Sequence, residues 1–387
     1  MENLNLNHKY KIIITTNFGL EAVVKRELFS LGYDKLKVSD RKIELEGTAN
    51  DIARLNINLR CAERVYIALT SFKTTSFEEL FDKTYSFNWM DIIKKGGAFP
   101  VNGKSYKSKL FSISDSQRIV KKAIAERLKS EYKTDWVNED GPRYQLEIDL
   151  NSDIATITLD TSGRGLHRRG YRTRAGDAPL KETLAAALVY LSFYSLDQKR
   201  TLIDPFCGSG TIPIEAAMIK RNIAPGLDRE FDFMYWDNLG FDKAYEEARS
   251  EAMSKIDFDK KLSIIASDID KWQIIKAKDN ASRLGLEDDI RFFVKDFRKL
   301  DLRDDHSVLI SNPPYGVRLG EEKEIEKLSI DLGEKFSKFK NLSLYFLTSF
   351  DEFEHFFGRK ADRKRKLYNG KIKTNYYQYY GNKPKEV

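Results

Sequence analysis

Cysteine is almost missing from this chain. Cys61 and Cys207 are the two sulfhydryls in 387 residues, too few for a disulfide framework. Histidine is nearly as scarce: His8, His167, His306 and His355 are scattered, so no metal-ligand spacing arises and a metal-free protein is expected. No apolar run reaches the ~18 residues that a membrane span needs. The stretch from Met1 to Lys11 is polar and carries no apolar signal region, so the expected compartment is the cytoplasm. Two nucleotide-loop patterns are missing as well. No Lys follows Gly208 and Gly210 as a phosphate-cradling P-loop demands, and Pro213 stands where a dinucleotide fingerprint needs its third glycine.

Charge and aromatic bulk are present instead. Lys and Arg number 66 against 59 Asp and Glu, a net of +7, which favours a polyanionic partner. With 41% hydrophobic and 12% aromatic residues the chain can bury real cores, and its length suits two or three domains.

The stretch around which the rest is organised is Leu202-Ile203-Asp204-Pro205-Phe206-Cys207-Gly208-Ser209-Gly210-Thr211. It reads as a buried strand ending in an acid, a glycine turn and a helix start. Glycine permits the sharp turn and close approach to a ligand, and the following helix aims its free N–H groups there. A tight βα turn without a ligand is the alternative. About a hundred residues on, Val308-Leu309-Ile310-Ser311-Asn312-Pro313-Pro314-Tyr315-Gly316 is a second apolar strand, stopped by two prolines that lack N–H groups. The pair D-P-F-C-G-S-G-T and S-N-P-P-Y resembles the S-adenosylmethionine-dependent amino-methyltransferases, which methylate exocyclic base nitrogens. That resemblance implies a cofactor corner of Asp204, Pro205, Phe206, Gly208, Gly210 and Thr211, and a catalytic stretch of Asn312, Pro313, Pro314 and Tyr315. The Asn312 side-chain oxygen and the Pro313 carbonyl can each accept one N–H of a base amine, while Tyr315 can stack on the extruded base.

Towards the N-terminus, Ile12–Thr16, Lys35–Val38 and Lys42–Glu46 read as strands and 17–31 and 51–59 as helices, a βαββα order that suggests a ferredoxin-like unit. A strand at Ala98–Val101, a lysine loop with Lys104, Lys107 and Lys109, and an amphipathic helix from Ser114 to Leu128 follow. That helix carries Arg118, Lys121, Lys122 and Arg127 outward. A hairpin turns at Asn151-Ser152-Asp153. The order, with Leu159-Asp160-Thr161-Ser162-Gly163, resembles a THUMP domain, an RNA-binding module of RNA-modifying enzymes. Five arginines then fall close together: Arg164, Arg168, Arg169, Arg172 and Arg174. With Tyr171 they suit phosphates and splayed bases; an interdomain linker is the alternative. Expected RNA contacts are therefore Lys104, Lys107, Arg118, Lys121, Lys122 and these five arginines.

A helix is expected from Ala178 to Leu191, and in the resembling family its start, here Thr183, contacts the methionine carboxylate of the cofactor. Residues 222–262 form a long connection with Phe231, Phe233, Tyr235, Trp236 and Phe241, expected to pack rather than to bind bases; it resembles an insertion of the bacterial large-subunit rRNA branch. Asp268 ends the next strand, where a carboxylate can accept ribose hydroxyls, with Ile269 beside it; Asp270 caps the following helix. Asp296 ends the third strand, and the family places such an acid on the adenine amine and its neighbour, Phe297, on the ring. Arg359–Lys366 is expected as loop surface, and Asn369-Gly370 as a hairpin turn.

The expected fold is α/β: a Rossmann-like seven-stranded methyltransferase domain over 163–387, preceded by a ferredoxin-like domain over 1–65 and a THUMP domain over 66–162. The expected activity is methyl transfer to the N2 amine of a guanosine in large-subunit rRNA by a monomer. A tRNA guanosine methyltransferase, a DNA N6-adenine methyltransferase and a non-catalytic ribosome-assembly factor stay open.

Overall fold

The computed structural model describes residues 8–172, 180–192, 194, 200–314 and 322–383. They fall into two compact units. One comprises Met1–Thr16, Leu28–Leu166 and Gly226–Ser254; the other comprises Asn17–Glu27, His167–Pro225 and Lys255–Val387.

The first unit is built on one seven-stranded sheet. Its elements are β1 (Tyr10–Thr16), β2 (Lys37–Ser39), β3 (Lys42–Gly47), α2 (Ala49–Asn58), β4 (Ala62–Lys73), α3 (Phe77–Tyr85), β5 (Val101–Tyr106), α4 (Ile113–Tyr132), β6 (Leu146–Asn151), β7 (Ile154–Asp160) and α7 (Phe241–Ser254). Of helix α1 (Glu21–Ser30), Leu28–Ser30 belong to this unit and Glu21–Glu27 to the other. The sheet order is β2-β3-β1-β4-β7-β6-β5. Strand β4 is long enough to serve two halves: Ile67 pairs with Ile12 of β1 on one side and with Leu159 of β7 on the other. A single strand thus runs through the 65/66 position. Polar caps start the helices, with a Thr48–Asp51 capping box on α2, Ser76 on α3 and Ser112 on α4. Ser152 and Asp153, both at positive φ (53° and 63°), close the β6–β7 hairpin.

Two differences from expectation lie here. The 98–101 strand is reduced to a single bridge, Ala98 with Arg143, and the ladder begins at Val101. Its sequence V-N-G-K-S-Y hides the alternation, because Gly103 and Ser105 occupy inward positions; a Cβ on Gly103 would lie 3.0 Å from Ile148. Lys104 is therefore a strand residue, not a loop residue. In the 222–262 connection, Phe231, Phe233, Trp236 and Phe241 are buried, and Trp236 stacks on Tyr144 at 5.3 Å. These four rings pack, as expected; Tyr235 does not, and stands 53% exposed.

The second unit holds α5 (Glu182–Leu191), β8 (Leu202–Asp204), α6 (Thr211–Lys220), β9 (Ile264–Asp268), α8 (Lys271–Ser282), β10 (Ile290–Val294), β11 (Val308–Ser311), α9 (Glu322–Phe336), β12 (Ser343–Thr348), α10 (Phe353–Phe357), β13 (Arg363–Asn369) and β14 (Ile372–Tyr379). The sheet order is β10-β9-β8-β11-β12-β14-β13. Strands β8 to β12 run parallel with their neighbours, and β14 is antiparallel to β12 and β13. Chain order reverses between β8 and β11, so their carboxyl ends flank the switch point at which open α/β sheets bind ligands. Ile203, Leu309, Leu332, Phe336, Leu344 and Phe346 fill the core beneath. The basic run expected as loop is largely β13, whose exposed Arg363 and Lys364 sit on an edge strand, where charge discourages further pairing. Among the described residues no helix is long and apolar enough to cross a membrane, and no cluster of His, Cys, Asp or Glu could hold a metal.

Candidate active site

The corner after β8 is built by glycine geometry. Gly208 has φ 52° and Gly210 φ 86°, values that L side chains avoid. A Cβ on Gly208 would meet nothing within 4 Å, whereas one on Gly210 would press on Ala277 at 3.1 Å. Gly208 thus faces open space and Gly210 faces α8. The loop is pinned from three sides. Cys207 N–H donates to the Ser267 carbonyl (3.0 Å), Gly208 N–H to Asp268 Oδ2 (3.0 Å), and Asn280 Nδ2 to the Ser209 carbonyl (2.9 Å). Burial pushes the Cys207 thiol up, which argues against a thiolate nucleophile.

Asp204 ends β8 at 1% exposure. Its Oδ1 accepts the Ser311 hydroxyl at 2.5 Å and the Phe206 amide at 3.2 Å. Its Oδ2 is buried and has no hydrogen-bond partner. Burial raises this carboxyl to about 7; the Ser311 and Phe206 bonds pull the other way, and the neighbouring Asp268 charge adds to the rise. One residue past Ser311, Asn312 has a buried Oδ1 that is likewise unpartnered. Pro313 is buried and Pro314 exposed; Tyr315 lies outside the described residues. Two unpartnered buried polar oxygens, Asp204 Oδ2 and Asn312 Oδ1, thus stand at adjacent strand ends, where a ligand's polar groups would satisfy them.

Asp268 ends β9. Both its oxygens hold backbone, Oδ2 the Gly208 amide and Oδ1 the Asp270 amide at 2.9 Å, so it shapes the glycine turn as well as facing the crevice. Ile269, at 69% exposure, leaves an apolar surface beside it. Asp296 lies past the end of β10, as the cap of the short helical turn Phe297–Lys299. Its Oδ2 pairs with Arg298 at 2.9 Å. Phe297 differs from expectation. It is 3% exposed, 4.9 Å from the Phe206 ring and 6.2 Å from Phe336. The turn swings its ring into the core, so it supports the pocket floor and offers no open stacking face.

The arginine run also divides. Arg164 and Arg168 are exposed. Arg169 is not available to RNA: its side chain is 2% exposed and pairs with the fully buried Glu215 of α6 at 3.3 Å. Arg172 is also engaged inside its unit. Its guanidinium donates to the Leu180 carbonyl and the Thr211 hydroxyl, and lies 3.5 Å from Glu182. One cation therefore ties the start of α5, where Thr183 is fully buried, to the start of α6. Helix α5 is first seen at Glu182; Arg174, Ala178 and Pro179 lie outside the described residues. The signal for these roles was Glu215 itself, a charged residue inside the apolar run I-P-I-E-A-A that must find a buried partner. On the first unit Lys107, Arg118 and Lys122 are exposed. Lys104 is neutralised by Glu147 (2.8 Å) and Asp149 (3.5 Å), and Lys121 pairs with Glu139 at 2.9 Å.

The parallel sheet with its reversed β14, the glycine corner and the Asn-Pro-Pro turn define an S-adenosylmethionine-dependent methyltransferase. Residues 169–378 match the RMKL-like methyltransferase domain, 11–66 the RlmL ferredoxin-like domain and 74–160 the THUMP domain. The chain belongs to the RMKL-like methyltransferase family. YpsC of Bacillus subtilis (strain 168), whose name assigns it provisionally to the RNA methyltransferases, is 49% identical over 374 residues, 96% of each chain. The ribosomal RNA large subunit methyltransferase K/L of Buchnera aphidicola subsp. Acyrthosiphon pisum (strain APS) is 33% identical over 353 residues, 88% of this chain. The match covers 50% of that relative, so the chain spans about half its length. The crystal structure of SMU.472, a methyltransferase by its provisional name and complexed with SAH, superposes with a TM-score of 0.90 at 40% identity over 97% of this chain and 99% of that one. The corner suits such a cofactor: open space at Gly208, an apolar face at Ile269 and unpartnered buried oxygens at Asp204 and Asn312.

Proposed function

We propose that the protein methylates the exocyclic N2 amine of a guanosine in large-subunit ribosomal RNA. The observation that carries this reading is the buried, unpartnered Asn312 Oδ1 at the end of β11, beside the β8 corner. An exocyclic base amine brings two N–H donors, and an orphaned acceptor next to a proline carbonyl is what it needs. Bound S-adenosylmethionine supplies an electrophilic sulfonium methyl group. The chain supplies the rest. Asp204, Pro205, Phe206, Gly208, Gly210, Thr211 and Thr183 line the methionine end, with Arg172 holding the two helix starts in register. Asp268 and Ile269 take the adenosine, with Asp296 at its amine and Phe297 as support beneath.

Asn312 Oδ1 and the Pro313 carbonyl each accept one amine hydrogen, which turns the nitrogen lone pair towards the crevice. Pro314 stiffens the turn and Tyr315 stacks on the base. Catalysis is then alignment at about 3–3.5 Å with water excluded; the methylated nitrogen, strongly acidic once it carries the extra group, would release one proton to solvent, so no strong general base is required. Matches to a THUMP domain and the K/L relatives' name support an rRNA substrate. The proposed division is a ferredoxin-like domain to residue 65, a THUMP domain to 162 and the methyltransferase domain beyond.

The test is incubation with labelled S-adenosylmethionine and unmodified ribosomal RNA, transfer RNA or DNA, followed by digestion. Label in N2-methylguanosine from large-subunit rRNA is expected. Label in N6-methyladenine from DNA, or cofactor binding with no transfer to any nucleic acid, would contradict the proposal.

A further inference from the structure

The connection from β5 to α4 turns two aromatic rings towards solvent. Tyr106 is 62% exposed and Phe111 82%. The segment that carries them is tightly held. The Lys109 amide donates to Asp153 Oδ1 (2.7 Å), the Asp153 amide to Ser108 Oγ (3.0 Å), the Ser152 amide to the Tyr106 carbonyl (3.1 Å), and Ser105 Oγ to the Leu110 carbonyl (2.8 Å). Leu110, between Lys109 and Phe111, is buried and anchors the loop to its unit. Lys107 takes a left-handed backbone, φ 50°, a conformation uncommon for any residue that carries a Cβ. Its ammonium lies 5.2 Å from the centre of the Tyr106 ring. Lys107 and Lys109 have no carboxylate partner among the described residues, whereas Lys104, on the preceding strand β5, is neutralised by two acids.

A held loop that presents flat rings beside uncompensated cations matches one chemistry. Bases offer π-faces to stack on, and their backbone offers phosphates. In an A-form duplex the faces are already stacked and the deep groove is closed to side chains. We propose that this loop binds unpaired nucleotides of RNA, with Tyr106 and Phe111 stacking on bases and Lys107 and Lys109 meeting phosphates. The proposal rests on the RNA reading of function above and adds which structural class of RNA is gripped, and where.

The test uses the full chain and a short fluorescein-labelled oligoribonucleotide, single-stranded or annealed to its complement, in anisotropy titrations. Wild type should prefer the single strand. Replacing both rings, Tyr106→Ala with Phe111→Ala, should weaken single-strand binding at least tenfold, since stacking contributes roughly five- to hundredfold per base. The salt slope should not change, because no cation is removed. Phe111→Trp should keep the affinity and show quenched emission when the single strand binds, which separates a stacking role from a folding defect; an unchanged melting temperature of the double variant does the same. Wild-type affinity in the double variant would overturn the proposal, and if that variant then lost a defined protein complex, the loop would belong to a protein partner. A wild-type chain that binds neither form of RNA would contradict the RNA reading itself, a different and recognisable failure.

Discussion

The Ser311 hydroxyl lies 2.5 Å from Asp204 Oδ1, so the last residue of β11 and the last residue of β8 are joined by one short hydrogen bond. That bond fixes the spacing between the two strand ends that carry the glycine corner and Asn312. Asp204 Oδ2 beside it is buried and has no hydrogen-bond partner, a costly arrangement in an interior.

Asp204 gives the protein a pH-dependent stability. Burial raises its carboxyl from 3.8 to about 7. The folded state therefore keeps a proton that the unfolded chain releases, so this contribution is complete below about 4 and is lost as pH rises through about 7. The span corresponds to an upper bound of roughly 4 kcal/mol. Asp204→Asn should remove it. Compared by chemical denaturation from pH 4 to pH 8, wild type should lose stability relative to the variant as pH rises. Parallel curves would mean that Asp204 is ionised in the fold throughout.

Arg168 and Arg169 are adjacent in sequence and should behave in opposite ways. Arg169→Ala strips a buried partner from Glu215 and should cost about 3–5 kcal/mol of stability, seen as a lowered denaturation midpoint. Arg164→Ala with Arg168→Ala should leave the midpoint in place and reduce the log–log salt slope of RNA binding by about 1–2. An Arg169→Ala chain of wild-type stability would remove the interior ion pair from the account.

Asp268→Ala should weaken S-adenosylmethionine binding in calorimetry by more than a lost ribose contact alone. Charge-assisted bonds contribute about 1.5–3 kcal/mol, and the same carboxylate holds the Gly208 amide. Gly208→Ala separates the two effects. Its methyl would meet open space but at φ 52°, a strain of roughly 1–2 kcal/mol. Unchanged cofactor affinity in both variants would take this corner out of the binding site.

What could be read in the sequence was what backbone chemistry alone enforces. Gly208 and Gly210, the Asn312-Pro313-Pro314 stop, the Asp270 cap and the Asn369-Gly370 turn work through local φ and missing donors, so each stands where it was expected. What escaped depended on distant partners. Arg169 reads as surface until Glu215, 46 residues on, is placed against it. Lys104 reads as a free cation until Glu147 and Asp149 arrive on the neighbouring strand. Phe297 reads as a ring next to a ligand, and only the packing of Phe206 and Phe336 shows which way it turns. The Arg363–Lys366 run is charged because it lies on a sheet edge, a fact of topology rather than of local pattern.

The most direct test of the central claim is single-turnover methyl transfer by Asn312→Ala and Asn312→Asp, with cofactor and RNA affinities measured alongside. Asn312 lies at a strand end and belongs neither to the proposed cofactor corner nor to the proposed RNA-binding loop, so both ligands should still bind. Removing an acceptor aligned to the reacting centre should slow the Ala variant by about 10²–10³, or roughly 2.7–4 kcal/mol. Asp keeps an acceptor oxygen in nearly the same shape and should retain partial activity. If both variants transfer the methyl group at close to the wild-type rate, the Asn-Pro-Pro turn is only structural and the proposed chemistry is wrong.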